Sequence, residues 1–137
     1  KFFEFIRGCP RDRHYAVEIR NPNYLNDRYF EFLRQHDLYQ VFVQGYYLPP
    51  VMEVYKKYRE YIRGKVVIRL MGPDRKGIEE KAGGRWDTVI DPRDGELRDI
   101  VTILRELEER KVEVYVNVNN HYEGSAPLTI KKIREML

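Results

Sequence analysis

Lys65-Val66-Val67-Ile68-Arg69-Leu70-Met71-Gly72 reads as a strand closed by Gly72-Pro73. Successive side chains of a strand point to opposite faces, so Val66, Ile68 and Leu70 share one face and Val67, Arg69 and Met71 the other. The first set is wholly apolar, whereas the second places a cation near the strand's C-terminal end. Three further stretches have the same character: residues 14–21 (HYAVEIRN), 39–45 (YQVFVQG) and 112–120 (VEVYVNVNN). Glu18 and Arg20 share a face of the first, Phe42 and Gln44 of the second, and Tyr115, Asn117 and Asn119 of the last. Their opposite faces hold Val17 and Ile19, Val41 and Val43, and Val114, Val116 and Val118. Between the strands lie helical patterns: residues 26–36, then Val51, Val54, Tyr55, Tyr58 and Ile62, then Leu97, Ile100, Val101, Leu104 and Leu107. A last helix follows Ser125, which reads as its N-cap, with Pro127 in the first turn.

Strands that alternate with helices predict a parallel α/β sheet, since parallel neighbours need a crossover. A doubly wound sheet buries its central strands on both faces. A TIM-type (β/α) barrel instead tolerates polar residues on the inward face at the C-terminal ends of its strands, and that is the pattern here. Eight units complete such a barrel in about 250 residues. This chain has 137, so residues 1–137 are expected to supply roughly the last four βα units, the C-terminal half of a single domain. The segment KFFEFIR, followed by Gly8 and Pro10, reads as the end of a preceding helix within residues 1–10. The expected partner is therefore the missing N-terminal half of the barrel or a second copy of the chain.

Composition narrows the classes of function. With 25 Lys and Arg against 22 Asp and Glu, the formal charge is +3, too small an excess to imply nucleic acid by itself. Sixteen of those cations are Arg, the side chain suited to bidentate carboxylate or phosphate contacts. The single cysteine, Cys9, excludes an internal disulfide framework and a cysteine zinc cage, which makes a cytoplasmic setting the default. No apolar run approaches the roughly 18 residues that span a bilayer, so no membrane partner is expected. Phosphate loops, dinucleotide-binding glycine patterns, nucleophile elbows and the HExxH metal motif are all missing.

Candidate chemistry gathers at the C-terminal ends of the strands. Glu18, Arg20 and Arg69 put opposite charges on one inner face, suiting Glu18 to proton transfer and the arginines to stabilising an anion. Asn117 and Asn119 are poor strand formers whose amides donate and accept, and so orient a substrate or a water. These five are the candidate catalytic residues. Gln44, Asn120, His121, Glu123, Gly124 and Ser125 are the candidate substrate-binding residues. Gly124-Ser125 at a helix start is expected to admit an anion. His121 near one carboxylate is too sparse to assign a metal site, and the cofactor is left open. The long stretch 73–95 reads as a βα loop over the strand ends, with Trp86 as an anchor or a ligand contact.

Ala16-Val17-Glu18-Ile19-Arg20-Asn21-Pro22, Val67-Ile68-Arg69-Leu70-Met71-Gly72 and the run from Asn117 to Pro127 (NVNNHYEGSAP) resemble motifs of the domain of unknown function 72 family, also called YecE-like proteins. The resemblance extends over nearly the whole chain and implies a TIM-type barrel. Met71 stands where the family commonly has His. The family's reaction is not established. Similarity of its fold to endonuclease-IV-like barrels suggests, by analogy alone, a hydrolase acting on a phosphorylated or phosphodiester substrate. The alternative is a noncatalytic module that binds an anion or nucleic acid.

Overall fold

Strand pairing in this protein is entirely parallel, and its computed structural model describes residues 2–45 and 47–137, without the side chain of Phe3. Lys1, which opens the expected helix end, lies outside them. In chain order the elements are α1 (Phe2–Arg7), β1 (Ala16–Glu18), α2 (Asp27–Gln35), β2 (Tyr39–Gly45), α3 (Val51–Tyr58), β3 (Lys65–Gly72), α4 (Arg75–Ala82), α5 (Asp94–Glu109), β4 (Glu113–Val118) and α6 (Ala126–Met136). The sheet order is β1-β2-β3-β4. This is the expected α/β architecture with a helical crossover between each pair of neighbours.

Local signals explain most boundaries. Asn26 caps α2 by accepting the Tyr29 N–H at 3.1 Å. Asp74 does the same for α4 through the Gly77 N–H at 3.0 Å, and Gly83 ends that helix in the left-handed region. The stretch 73–95 therefore contains a two-turn helix rather than loop alone. β1 is shorter than the expected 14–21, because Asn21 accepts the Asn23 N–H and turns the chain into a short 3-10 turn.

The helices cover one face of the sheet. Val66, Ile68 and Leu70 are fully buried there with Phe30, Tyr55, Leu97 and Ile100, and the partly buried Val114, Val116 and Val118 pack against the same cluster. Phe30 and Tyr58 stack with ring centroids 4.1 Å apart, joining α2 to α3. At the end of α5, Arg110 donates to the carbonyls of Arg59 (2.9 Å) and Ile62 (2.8 Å) and to the Tyr55 hydroxyl (3.2 Å). One guanidinium thus ties the end of α5 to the turn that follows α3.

Register corrects the reading of β2. Gln40 pairs with Val66, Phe42 with Ile68 and Gln44 with Leu70, while Val41 and Val43 align with Val67 and Arg69. Paired residues on neighbouring strands face the same way, so Phe42 and Gln44 belong to the helix side and Val41 and Val43 to the opposite side. Gln44 accepts the Val51 N–H at 2.9 Å and thereby satisfies the first turn of α3. The other three strands keep the expected faces: Glu18 aligns through Val41 with Val67, and Arg69 pairs with Asn117.

At its C-terminal end β3 bulges. Gln44 pairs with Leu70 and Gly45 with Gly72, which leaves Met71 as the extra residue. Gly72 has φ +78°, and a Cβ there would lie 2.2 Å from the His121 carbonyl oxygen. Gly83 has φ +55° but open space around it. Gly83→Ala is expected to cost about 1 kcal/mol, the penalty of left-handed backbone alone. Gly72→Ala should cost at least about 3 kcal/mol, because the backbone of residues 121–122 must also move. Urea denaturation of the two variants checks the difference, and equal losses would mean that the strand ends yield freely.

Candidate functional site

Glu18 and Arg69 lie on β1 and β3, so their ion pair must pass over β2. Valine at positions 41 and 43 is short enough to let it pass, and the pair in turn helps keep both valines buried. Arg20 donates from Nε to Glu18 Oε1 at 2.6 Å. Partial burial alone would raise the Glu18 pKa, but the hydrogen bonds from Arg20 and Arg69 outweigh it and hold the carboxyl below its usual value. Two cations share one anion here, leaving the cluster a net positive charge.

Beside this cluster Arg69, Met71, Asn117, Asn119, Asn120 and Ala126 line an open concavity of about 300 Å³. The bulge puts Met71 into that wall. The Asn117 side chain is exposed, next to Arg69 in register. Asn119 continues the ladder by one bond, from its N–H to the Leu70 carbonyl at 2.9 Å. The structure thus sets Arg69, Asn117 and Asn119 around one concavity, with Glu18 beside it through its ion pair to Arg69 and Arg20 bonded to Glu18 outside the lining.

Residues 120–125 take other parts. Asn120 lines the concavity but commits its Oδ1 to the Ala126 N–H at 2.8 Å, so it supplies the α6 cap expected of Ser125. The Ser125 side chain makes no capping bond and is buried. Gly124 is buried as well, with φ +114°, and a Cβ on it would meet the Thr88 carbonyl at 2.7 Å. What approaches this glycine closely is the chain's own 88–90 segment, not an open anion pocket.

Glu123 is 0% exposed, which removes it from the mouth. Its carboxylate accepts from the Arg93 N–H (2.7 Å), the Thr129 hydroxyl (2.7 Å) and Lys132 Nζ (2.8 Å). Its carbonyl takes the N–H groups of Ile90 (2.6 Å) and Asp91 (3.0 Å). Lys132 also reaches Asp94 at 2.5 Å. Burial pulls the Lys132 pKa down, but its two carboxylate partners more than restore it and leave it raised.

His121 ties α4 to the mouth. Asn119 Oδ1 accepts the His121 N–H at 3.0 Å and faces its Nδ1 at 2.6 Å, while Nε2 faces Glu79 Oε1 at 2.8 Å. Both ring nitrogens therefore have oxygen partners. Arg75 donates to the same Glu79 oxygen at 2.8 Å, and this bond, with that from His121, lowers the Glu79 pKa. Trp86 meets the imidazole edge-on, with centroids 5.2 Å apart. Glu79 was not among the expected site residues, although the Asp74 and Gly83 caps and the four-residue spacing from Arg75 signal its helix.

Among the described residues, no three His, Cys, Asp or Glu side chains gather as a metal ion would need. No described helix is long and apolar enough to cross a membrane.

A parallel βα sheet with an arginine-carboxylate cluster and amides at its C-terminal ends defines an α/β protein with one four-stranded parallel sheet. The chain belongs to the family of proteins of unknown function DUF72, whose model matches residues 1–137. It is similar to the solved structure of a DUF72 family protein from Thermotoga maritima, with 26% identity and a TM-score of 0.68 over 98% of this chain and 49% of that one. A DUF72 family protein from Enterococcus faecalis shares the fold at 19% identity and a TM-score of 0.71, over 99% of this chain and 51% of that one. The chain spans about half the length of each. No match was found among curated proteins.

Because the folded-state pKa of Glu18 is lowered from about 4.5, its ion pairs add stability that is fully present above that value and lost as pH falls through the folded one. Glu18→Gln should therefore cost about 2 kcal/mol at neutral pH, with the gap to the unsubstituted protein constant down to about pH 5 and shrinking below. Denaturation curves from pH 7 to 3 measure it; a gap independent of pH would show that Glu18 contributes no charge-dependent stability.

Proposed function

We propose that the C-terminal end of this sheet recognises a phosphate-bearing anion, and that the sheet is one half of a parallel barrel. The observation that carries the first part is the Arg20-Glu18-Arg69 cluster. Its excess positive charge lies beside the concavity walled by Arg69, Asn117 and Asn119. Guanidinium groups match phosphate oxygens in pairs, and the amides supply neutral donors around them.

Binding suits these groups better than hydrolysis does. Glu18 is held as a carboxylate by two donors and is a weak base, and His121 is engaged on both ring nitrogens. This half contributes charge and orientation, so a general base for a phosphodiester hydrolase would come from the other half. The noncatalytic reading is therefore the primary one.

The barrel reading is supported by β1 and β4, each with one strand neighbour, and by solved relatives about twice as long. The remaining half is the rest of a longer chain or a second copy.

Calorimetry with inorganic phosphate on the longest available chain should show at least a tenfold loss of affinity in Arg69→Gln and none in Arg28→Gln, on the outside of α2. Equal affinities would remove the anion site. Turnover of a generic phosphodiester by the same protein would restore the hydrolase reading. If the second copy completes the barrel, light scattering of this chain alone gives a dimer; a monomer whose β1 and β4 amides resist hydrogen exchange would refute the need for any second half.

A further inference from the structure

The opposite end of the sheet holds a larger concavity, of about 600 Å³. It opens at the N-terminal ends of β1 and β2, between the segment leading from α1 to β1 and the turn leading from α2 to β2. Five arginines line it, Arg7, Arg11, Arg13, Arg34 and Arg63, against two carboxylates, Asp12 and Asp37. That local excess of three positive charges equals the formal net charge of the whole chain.

The arginines here are poorly neutralised. Arg13 meets Asp12 and Arg63 meets Asp37, each at 3.6 Å between largely exposed groups, which are weak pairs. Arg34 turns to Glu31 on its own helix at 2.9 Å. Arg7 and Arg11 have no ion-pair or hydrogen-bond partner among the described residues. Like charges around one concavity repel within a Debye length of about 8 Å, and a bound anion relieves that repulsion.

Shape and surface narrow the anion. The volume falls within the range of about 300–1,000 Å³ of sites for whole small molecules and exceeds what a bare phosphate needs. Beside the guanidinium groups the rings of His14 and Tyr39 form a tilted pair, with centroids 5.8 Å apart, and Tyr15 adds a third ring to the wall. Flat rings next to guanidinium groups suit a molecule with a planar base at one end and phosphate at the other.

We propose that this basal concavity binds a nucleotide, its phosphates on Arg7, Arg11 and Arg13 and its base against the Tyr39 and His14 rings. The site is separate from the mouth, which lies at the other end of the same strands, and it does not depend on the reading given to that mouth.

Calorimetry of the longest available chain at 0.15 M salt with ADP, inorganic pyrophosphate and adenosine tests it. ADP is expected to bind saturably and at least tenfold more tightly than pyrophosphate, with adenosine weaker still. The Arg7→Glu/Arg11→Glu variant should lose at least tenfold in ADP affinity, whereas Arg98→Glu/Arg134→Glu, with the same charge change on α5 and α6, should lose none. Arg11→Gln, in an exposed loop, gives a several-fold loss should the double variant fail to fold. Arg69→Gln should leave ADP binding unchanged, which separates this site from the mouth. No saturation by millimolar ADP, pyrophosphate binding as tight as ADP, or equal losses in the two double variants would each overturn the proposal.

Discussion

A carboxyl group sealed from water needs donors around it, and Glu123 meets that demand with groups from two parts of the chain. Arg93 comes from the entry to α5, and Thr129 and Lys132 from α6. The carbonyl of the same residue receives the returning segment at Ile90 and Asp91. Losing Lys132 leaves the carboxylate without its countercharge, a cost of about 3–5 kcal/mol for a buried pair. The mouth depends on this junction, because residues 119–121 are held between β4 and the segment that Glu123 anchors. Asn119 and His121 keep their orientation only while that segment stays down.

The arch from Arg69 to Glu18 is the second constraint, and it explains where reading the sequence fails. On β3 and β4 the two faces differ in polarity, so period-two alternation assigns them correctly. On β2, Val41, Phe42 and Val43 are all apolar, and an apolar run offers alternation nothing to discriminate. The strand is buried on both sides, under helices on one and under the ion pair on the other. In the sequence the amide of Gln44 reads as part of the polar face. Yet Gln40 meets the Tyr29 hydroxyl at 2.7 Å and Gln44 meets the start of α3, both of them helix-side partners.

Distance along the chain limits the rest. Glu18, Arg69, Asn117 and Asn119 are legible because strand register alone carries them to one face. Glu123 is not, since its polar neighbours in sequence place it with the mouth residues and its true partners lie up to thirty residues away. Ser125 illustrates a competition between caps. It has the residue type and the position, but Asn120 occupies the N–H of Ala126 from six residues upstream. A turn that folds back on itself overrides a local preference.

The chain has one tryptophan, and its placement gives the molecule an optical handle. Trp86 rests on the edge of His121, His121 is held by Asn119, and Asn119 forms part of the wall beside Arg69. A solute that draws the Asn119 amide toward itself loosens the imidazole and alters the surroundings of the indole two contacts away. Intrinsic fluorescence therefore reads events at the strand ends without any attached label.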